Sequence, residues 1–287
     1  MSQTRQAVAQ RAGASRTLAL LVAAVTLLAG VPGSGPRDML LPRARAIAAE
    51  RPSLWTGAFV ARGEHAVVIG NPRGLVTELA ALADDASRTV ARVWGRPVDA
   101  VVLVPRTAEQ AAELAAPARV EGMAALAGAD RVIVEPSGFA RLSAAGRRIV
   151  VTHELTHLAT GAAVSPGMPV WLVEGFADYA GYLGSGLPVT TVAAELAADV
   201  RAGSAPRELP VRADFDAGPV RRAEAYEAAW LACRYVAGRF GERRLVALYR
   251  AAAASGLDAA LRGTLGMTEA ELTRSWRAYV LDQLASP

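Results

Sequence analysis

His153-Glu154-Leu155-Thr156-His157 and the later run Trp171-Leu172-Val173-Glu174-Gly175-Phe176-Ala177-Asp178-Tyr179 decide the reading of this chain. On a helix, positions four apart are separated by about one turn and roughly 40° of rotation, so the imidazoles of His153 and His157 leave one face and can share a metal ion. Glu154 stands beside them, placed for a water that the metal activates. These are two of only three histidines in 287 residues. A chance pentapeptide on a buried helix is the competing explanation. The second run argues against coincidence, because Glu174 brings a carboxylate 17 residues after His157 and Asp178 brings another four residues later.

Catalytic zinc is typically held by three protein ligands with one position open to water, whereas structural zinc is closed by four, commonly with cysteine. The single cysteine, Cys233, excludes a Cys-rich structural site. Within Ala229-Trp230-Leu231-Ala232-Cys233 it reads as a small buried hydrophobe.

The two runs together resemble the gluzincin metallopeptidases, the peptidase-MA-like proteins in which a His-Glu-x-x-His helix is followed by a Trp-Leu-x-Glu-Gly-x-Ala-x-Tyr helix. The resemblance covers residues 143 to 182. It implies His153, His157 and Glu174 as ligands of Zn2+, Glu154 as general base, and Asp178 as an acceptor that orients a ligand histidine. It also implies a fold: an α+β, zincin-like chain with a mixed α/β amino-terminal lobe and small sheet, a helical carboxy-terminal lobe, and the active-site helix between them. Aminopeptidases resembling this clan capture the substrate amino terminus through a Gly-x-Met-Glu-Asn stretch. Here the nearest string is Glu121-Gly122-Met123-Ala124-Ala125, without the capturing Glu and Asn, which favours an endopeptidase. Thermolysin-like relatives use a downstream histidine as oxyanion donor, and none follows His157. Tyr226 is the candidate in its place, since a phenol can donate to a developing oxyanion. Tyr179 and Tyr182 compete with it.

Composition bounds the rest. At 52% hydrophobic content the chain can bury a substantial core. Every basic residue is arginine, and three of the four formal positive charges arise from the amino terminus: Arg5, Arg11 and Arg16 face no acid within residues 1 to 36, leaving 28 basic against 27 acidic groups beyond. No basic run interleaves with aromatics, so nucleic acid is not an expected partner. Nothing in the residues assigns an oligomeric state.

The three arginines precede an apolar run, Thr17 to Val31, closed by Pro32-Gly33-Ser34-Gly35-Pro36. That layout is expected of a signal peptide or amino-terminal membrane anchor over residues 1 to 36. A helix of that run would span about 22 Å, short of the roughly 30 Å hydrocarbon core, which favours cleavage over anchoring. Residues 37 to 54, rich in Arg, Ala and Pro, read as a linker, and 55 to 287 as the metallopeptidase domain. Phe59 to Ile69 and Ala100 to Val104 read as strands, and Leu75 to Trp94 and Ala108 to Leu114 as helices. Arg131 to Glu135 is expected to be the edge strand that the family pairs with extended substrate. His65 reads as a strand-edge histidine. Val192 to Ala202, Val220 to Phe240, Glu242 to Ala254 and Thr268 to Leu284 read as the helices of the second lobe.

The expected function is therefore an exported zinc peptidase acting on peptides or proteins, extracytoplasmic or tethered to the membrane. Two alternatives stand beside it: a catalytically inactive zincin-fold binding or scaffolding protein of the cell envelope, and a metal-free structural protein built on the Ala-rich helices.

Overall fold

The computed structural model describes residues 39–118, 122–164 and 167–285. The expected export segment, residues 1 to 36, lies outside them. No helix among the described residues is long and apolar enough to cross a membrane. The chain divides into two compact units, one ending at Pro166 and the other beginning at Gly167.

The first unit is built on a five-stranded sheet. Its elements are α1 (Leu40–Ala49), β1 (Phe59–Arg62), β2 (Ala66–Gly70), α2 (Arg73–Trp94), β3 (Ala100–Val104), α3 (Ala108–Ala115), β4 (Ala125–Ala127), β5 (Val132–Val134), α4 (Pro136–Ala140) and α5 (Ala144–Thr160). The strand order is β1-β2-β3-β5-β4. β2, β3 and β5 run parallel, and β1 and β4 are antiparallel to their neighbours at the two edges. All five residues of β2 and of β3 are buried, which is why both read as continuous apolar runs rather than alternating ones. On one face Val67, Ile69, Val101 and Leu103 meet Leu40, Ala44 and Ile47 of α1. Leu126 and Ile133 meet Ala111 and Ala115 of α3.

Two expectations change here. Residues 40 to 49, expected within a linker, form a helix whose buried Leu40, Ala44 and Ile47 recur at one-turn spacing against the sheet. The helix is fastened to the β4–β5 turn at two places: Arg131 Nη1 donates to Glu50 Oε2 at 2.8 Å, and Arg43 Nη2 donates to the Asp130 carbonyl. The expected edge strand is interior, because β5 pairs on both sides, and β4 is the edge. His65 is buried just before β2, its Nδ1 2.8 Å from Asp99 Oδ1.

The second unit is helical: α6 (Val170–Tyr182), α7 (Ala194–Arg201), α8 (Pro219–Phe240), α9 (Glu242–Ser255), α10 (Leu257–Leu265) and α11 (Glu269–Leu284), with short helical turns at Val189–Val192 and Arg212–Phe215. α6 packs along α8. Gly175 sits at that crossing. Glu227 of α8 is buried and accepts main-chain bonds at the start of α7, from Leu196 N at 2.7 Å and Glu195 N at 3.3 Å. Among the described residues, the architecture is the expected mixed α/β sheet portion followed by a mostly helical remainder.

Candidate metal centre

The motif helix α5 owes its ends to local chemistry. Ser143 caps it by accepting from Gly146 N at 3.1 Å, and Gly161 stops it in the left-handed conformation at φ 68°. Between them, Ile149 to His157 are all buried, packed against α2 and β4. A helix so enclosed must satisfy its polar side chains internally. The threonines do so within the helix: Thr152, Thr156 and Thr160 donate to the carbonyls of Arg148, Thr152 and Thr156 at 2.8, 2.7 and 2.9 Å. Arg147 Nη1 donates to both carboxylate oxygens of Glu78, at 3.0 and 2.9 Å, tying α5 to α2.

His153 and His157 remain buried with their chemistry directed at each other. Their Nε2 atoms are 2.9 Å apart, and the rings meet edge to face with centroids separated by 4.5 Å. Glu154 is buried, and its Oε2 accepts from Ala127 N on β4 at 2.6 Å.

In the second unit, α6 carries Glu174 and Asp178 one turn apart, both buried. Asp178 pushes the titration of the Tyr182 hydroxyl and the Cys233 thiol upward, in each case behind burial as the larger cause. Among the described residues one group of His, Cys, Asp or Glu side chains is able to hold a metal ion: one ligand atom from each of His153, His157 and Glu174 lies within 4.8 Å of the others. Two imidazole nitrogens and one carboxylate oxygen form the three-ligand donor set of a catalytic zinc.

The tyrosine candidates separate. Tyr179 donates its hydroxyl to Glu242 Oε2 at 3.0 Å, and burial with that carboxylate nearby holds its proton on more tightly than in water. Tyr182 packs against Trp230 with ring centroids 5.4 Å apart. Tyr226 is buried on α8, its ring edge-on to Phe215 at 5.0 Å. Cys233 is fully buried, as its apolar neighbourhood implied. The main-chain partner of Glu154 had no signal in the sequence, since Ala127 contributes only its N–H.

Residues 78–282 match the model of the Peptidase MA superfamily. The chain belongs to this superfamily. Within the peptidase MA match lie the whole of α5 and α6, and with them every candidate ligand. Among solved structures, the M1 zinc metallopeptidase from Deinococcus radiodurans, crystallised as a mutant bound to a Tyr-Ser-Ala substrate, is similar at 20% identity and a TM-score of 0.45, over 80% of this chain and 54% of that one. The chain thus spans about half the length of that enzyme. No curated protein matches it.

Proposed function

We propose that this member of the peptidase MA superfamily is an exported zinc-dependent peptidase, of endopeptidase type, with His153, His157 and Glu174 as zinc ligands and Glu154 as general base. The observation that carries the reading is the buried pair of imidazoles with Nε2 atoms 2.9 Å apart on one helix face. Zinc, when bound, lowers the pKa of a water and polarises a carbonyl. The chain's own residues do the rest. Glu154 accepts the proton of the attacking water and returns it to the leaving amine. Asp178, one turn beyond Glu174, accepts from a ligand imidazole and fixes its tautomer. Tyr226 donates to the oxyanion that forms as the carbonyl is attacked; the engagement of the Tyr179 hydroxyl with Glu242 favours Tyr226 over that rival. Export rests on the arginine-then-apolar layout of residues 1 to 36, and the missing capturing Glu and Asn support internal rather than amino-terminal cleavage.

Elemental analysis after exhaustive dialysis tests the ligand set. Near one zinc per chain is expected in the parent and a clear loss in Glu174→Ala. Equal, negligible zinc in both would end the peptidase reading and return the chain to the metal-free structural alternative.

A further inference from the structure

The edge strand beside α5 presents a definite set of main-chain groups. Gly128 N donates to Arg131 O at 2.8 Å, Glu135 N donates to Ala124 O at 2.9 Å, and Leu126 pairs with Ile133 between them. Along an antiparallel ladder, residues alternate between exchanging both main-chain bonds with the partner strand and pointing both away from it. Residues 124, 126 and 128 therefore face β5. Ala125 and Ala127 turn their N–H and C=O groups outward, and among the described residues no strand lies beyond β4 in the sheet. One of these two outward donors, Ala127 N, is engaged at 2.6 Å by the carboxylate of Glu154. The bond is short for an N–H donor.

An extended peptide that adds to a sheet edge is held by main-chain hydrogen bonds. On β4 those bonds are restricted to the outward groups of residues 125 and 127. A single N–H makes one strong bond at a time, so a docked carbonyl and the Glu154 carboxylate exclude each other at Ala127. We propose that the Ala127 N–H is an exchange contact. It bonds the Glu154 carboxylate while no peptide is paired with β4, and passes to a carbonyl of an extended peptide when one docks, so that this bond to the carboxylate is broken before proton transfer. The inference rests on the peptidase reading above and adds to it that docking and availability of the base are one event. Ala127 is a positioning residue, acting through its main chain. A ligand whose backbone leaves β4 untouched leaves Glu154 held.

Glu154→Gln and Glu154→Ala separate the exchange from the chemistry, because both lack the base and cleave peptide too slowly to deplete it during a titration. Gln retains an oxygen that accepts from Ala127 N, and Ala retains none. The zinc-loaded full chain of each variant is titrated with a pool of fluorescein-labelled random decapeptides, and Kd is read by fluorescence anisotropy. Glu154→Ala is expected to bind about tenfold more tightly than Glu154→Gln. Adding Ala127→Pro, which removes the contested donor and no bond to β5, is expected to make the two equal. Equal Kd values without the proline overturn the exchange and leave the peptidase reading standing. Absence of binding by either variant overturns both. Should the proline variants fail to fold, the amide resonance of Ala127 in 15N-alanine-labelled protein gives the same decision: it is expected to move on Glu154→Ala substitution and to move again on addition of peptide, and an amide that ignores the peptide overturns the proposal.

Discussion

A Cβ placed on Gly175 would lie 2.2 Å from the carbonyl oxygen of Ala229, so the main chains of α6 and α8 touch where the glutamate of the second motif has its neighbour. Helix propensity alone favours alanine over glycine by roughly 1 kcal/mol. The clash is with main chain, which cannot swing aside, and overpacking of this kind costs typically 1–3 kcal/mol or more. Gly175→Ala is therefore expected to lower stability by roughly 2 kcal/mol net, seen as a fall in Tm of about 4–8 °C. An unchanged or higher Tm would show that the helices separate freely at this point.

Glu154→Gln keeps the size of the side chain and an acceptor for Ala127 while removing the base. Turnover of a peptide substrate is expected to fall by about 10²- to 10⁴-fold, with zinc content equal to the parent's. Loss of zinc in the same variant would mean that Glu154 serves the metal instead.

Glu227 gives a pH signature. Its carboxyl is pushed up to about 10, first by burial and then by its hydrogen bond with Glu195, against the opposing pull of the main-chain N–H groups of Leu196 and Glu195. An unfolded glutamate titrates near 4.3. An acid whose folded value is raised contributes stability fully present below about pH 4.3, and loses it as the pH climbs toward the folded value. Glu227→Gln cannot ionise. Its amide nitrogen cannot accept the 3.3 Å bond from Glu195 N, so it is expected to start at or below the parent's Tm at pH 4 and to gain on the parent at pH 8 and above, by scanning calorimetry at both. Parallel Tm curves for the two proteins would show that Glu227 is ionised in the fold.

Ile47 tests whether α1 is part of the fold or an appendage. It is buried against Val67, Ile69, Val101 and Leu103. Ile47→Ala is expected to cost about 2–4 kcal/mol in equilibrium urea unfolding of the first unit. A cost under about 0.5 kcal/mol, the range of surface substitutions, would return residues 40–49 to the status of a tether.

The legible parts of the chain were those fixed by short-range chemistry. The ends of the motif helix, Ser143 and Gly161, were readable because a cap and a left-handed stop are decided within four residues. The long helices and the two-sided strands β2 and β3 followed from spacing and β-branching. Ala125-Leu126-Ala127 was not readable as a strand, since its residues favour helix and only pairing with β5 extends it. The neighbouring Val132-Ile133-Val134 carried the stronger β signal and drew the edge assignment to itself. Residues 40 to 49 were hidden by Pro42, Arg43 and Arg45, although Leu40, Ala44 and Ile47 held the spacing. The burial of Glu227 and the partner of Glu154 are products of tertiary contact, to which no residue pattern testifies.

The connection between β4 and β5 runs from Gly128 to Arg131, with Ala129 and Asp130 at its tip, and is closed by the bond from Gly128 N to Arg131 O. Side chains and amides along a strand repeat every two residues, so sliding β4 by one residue exchanges what faces inward with what faces outward. The length of this turn is therefore a phase setting. One residue more or less, if passed on along the strand, would point Ala127 N at β5, offer Leu126 N to the helix instead, and turn the Leu126 side chain from α3 toward Glu154.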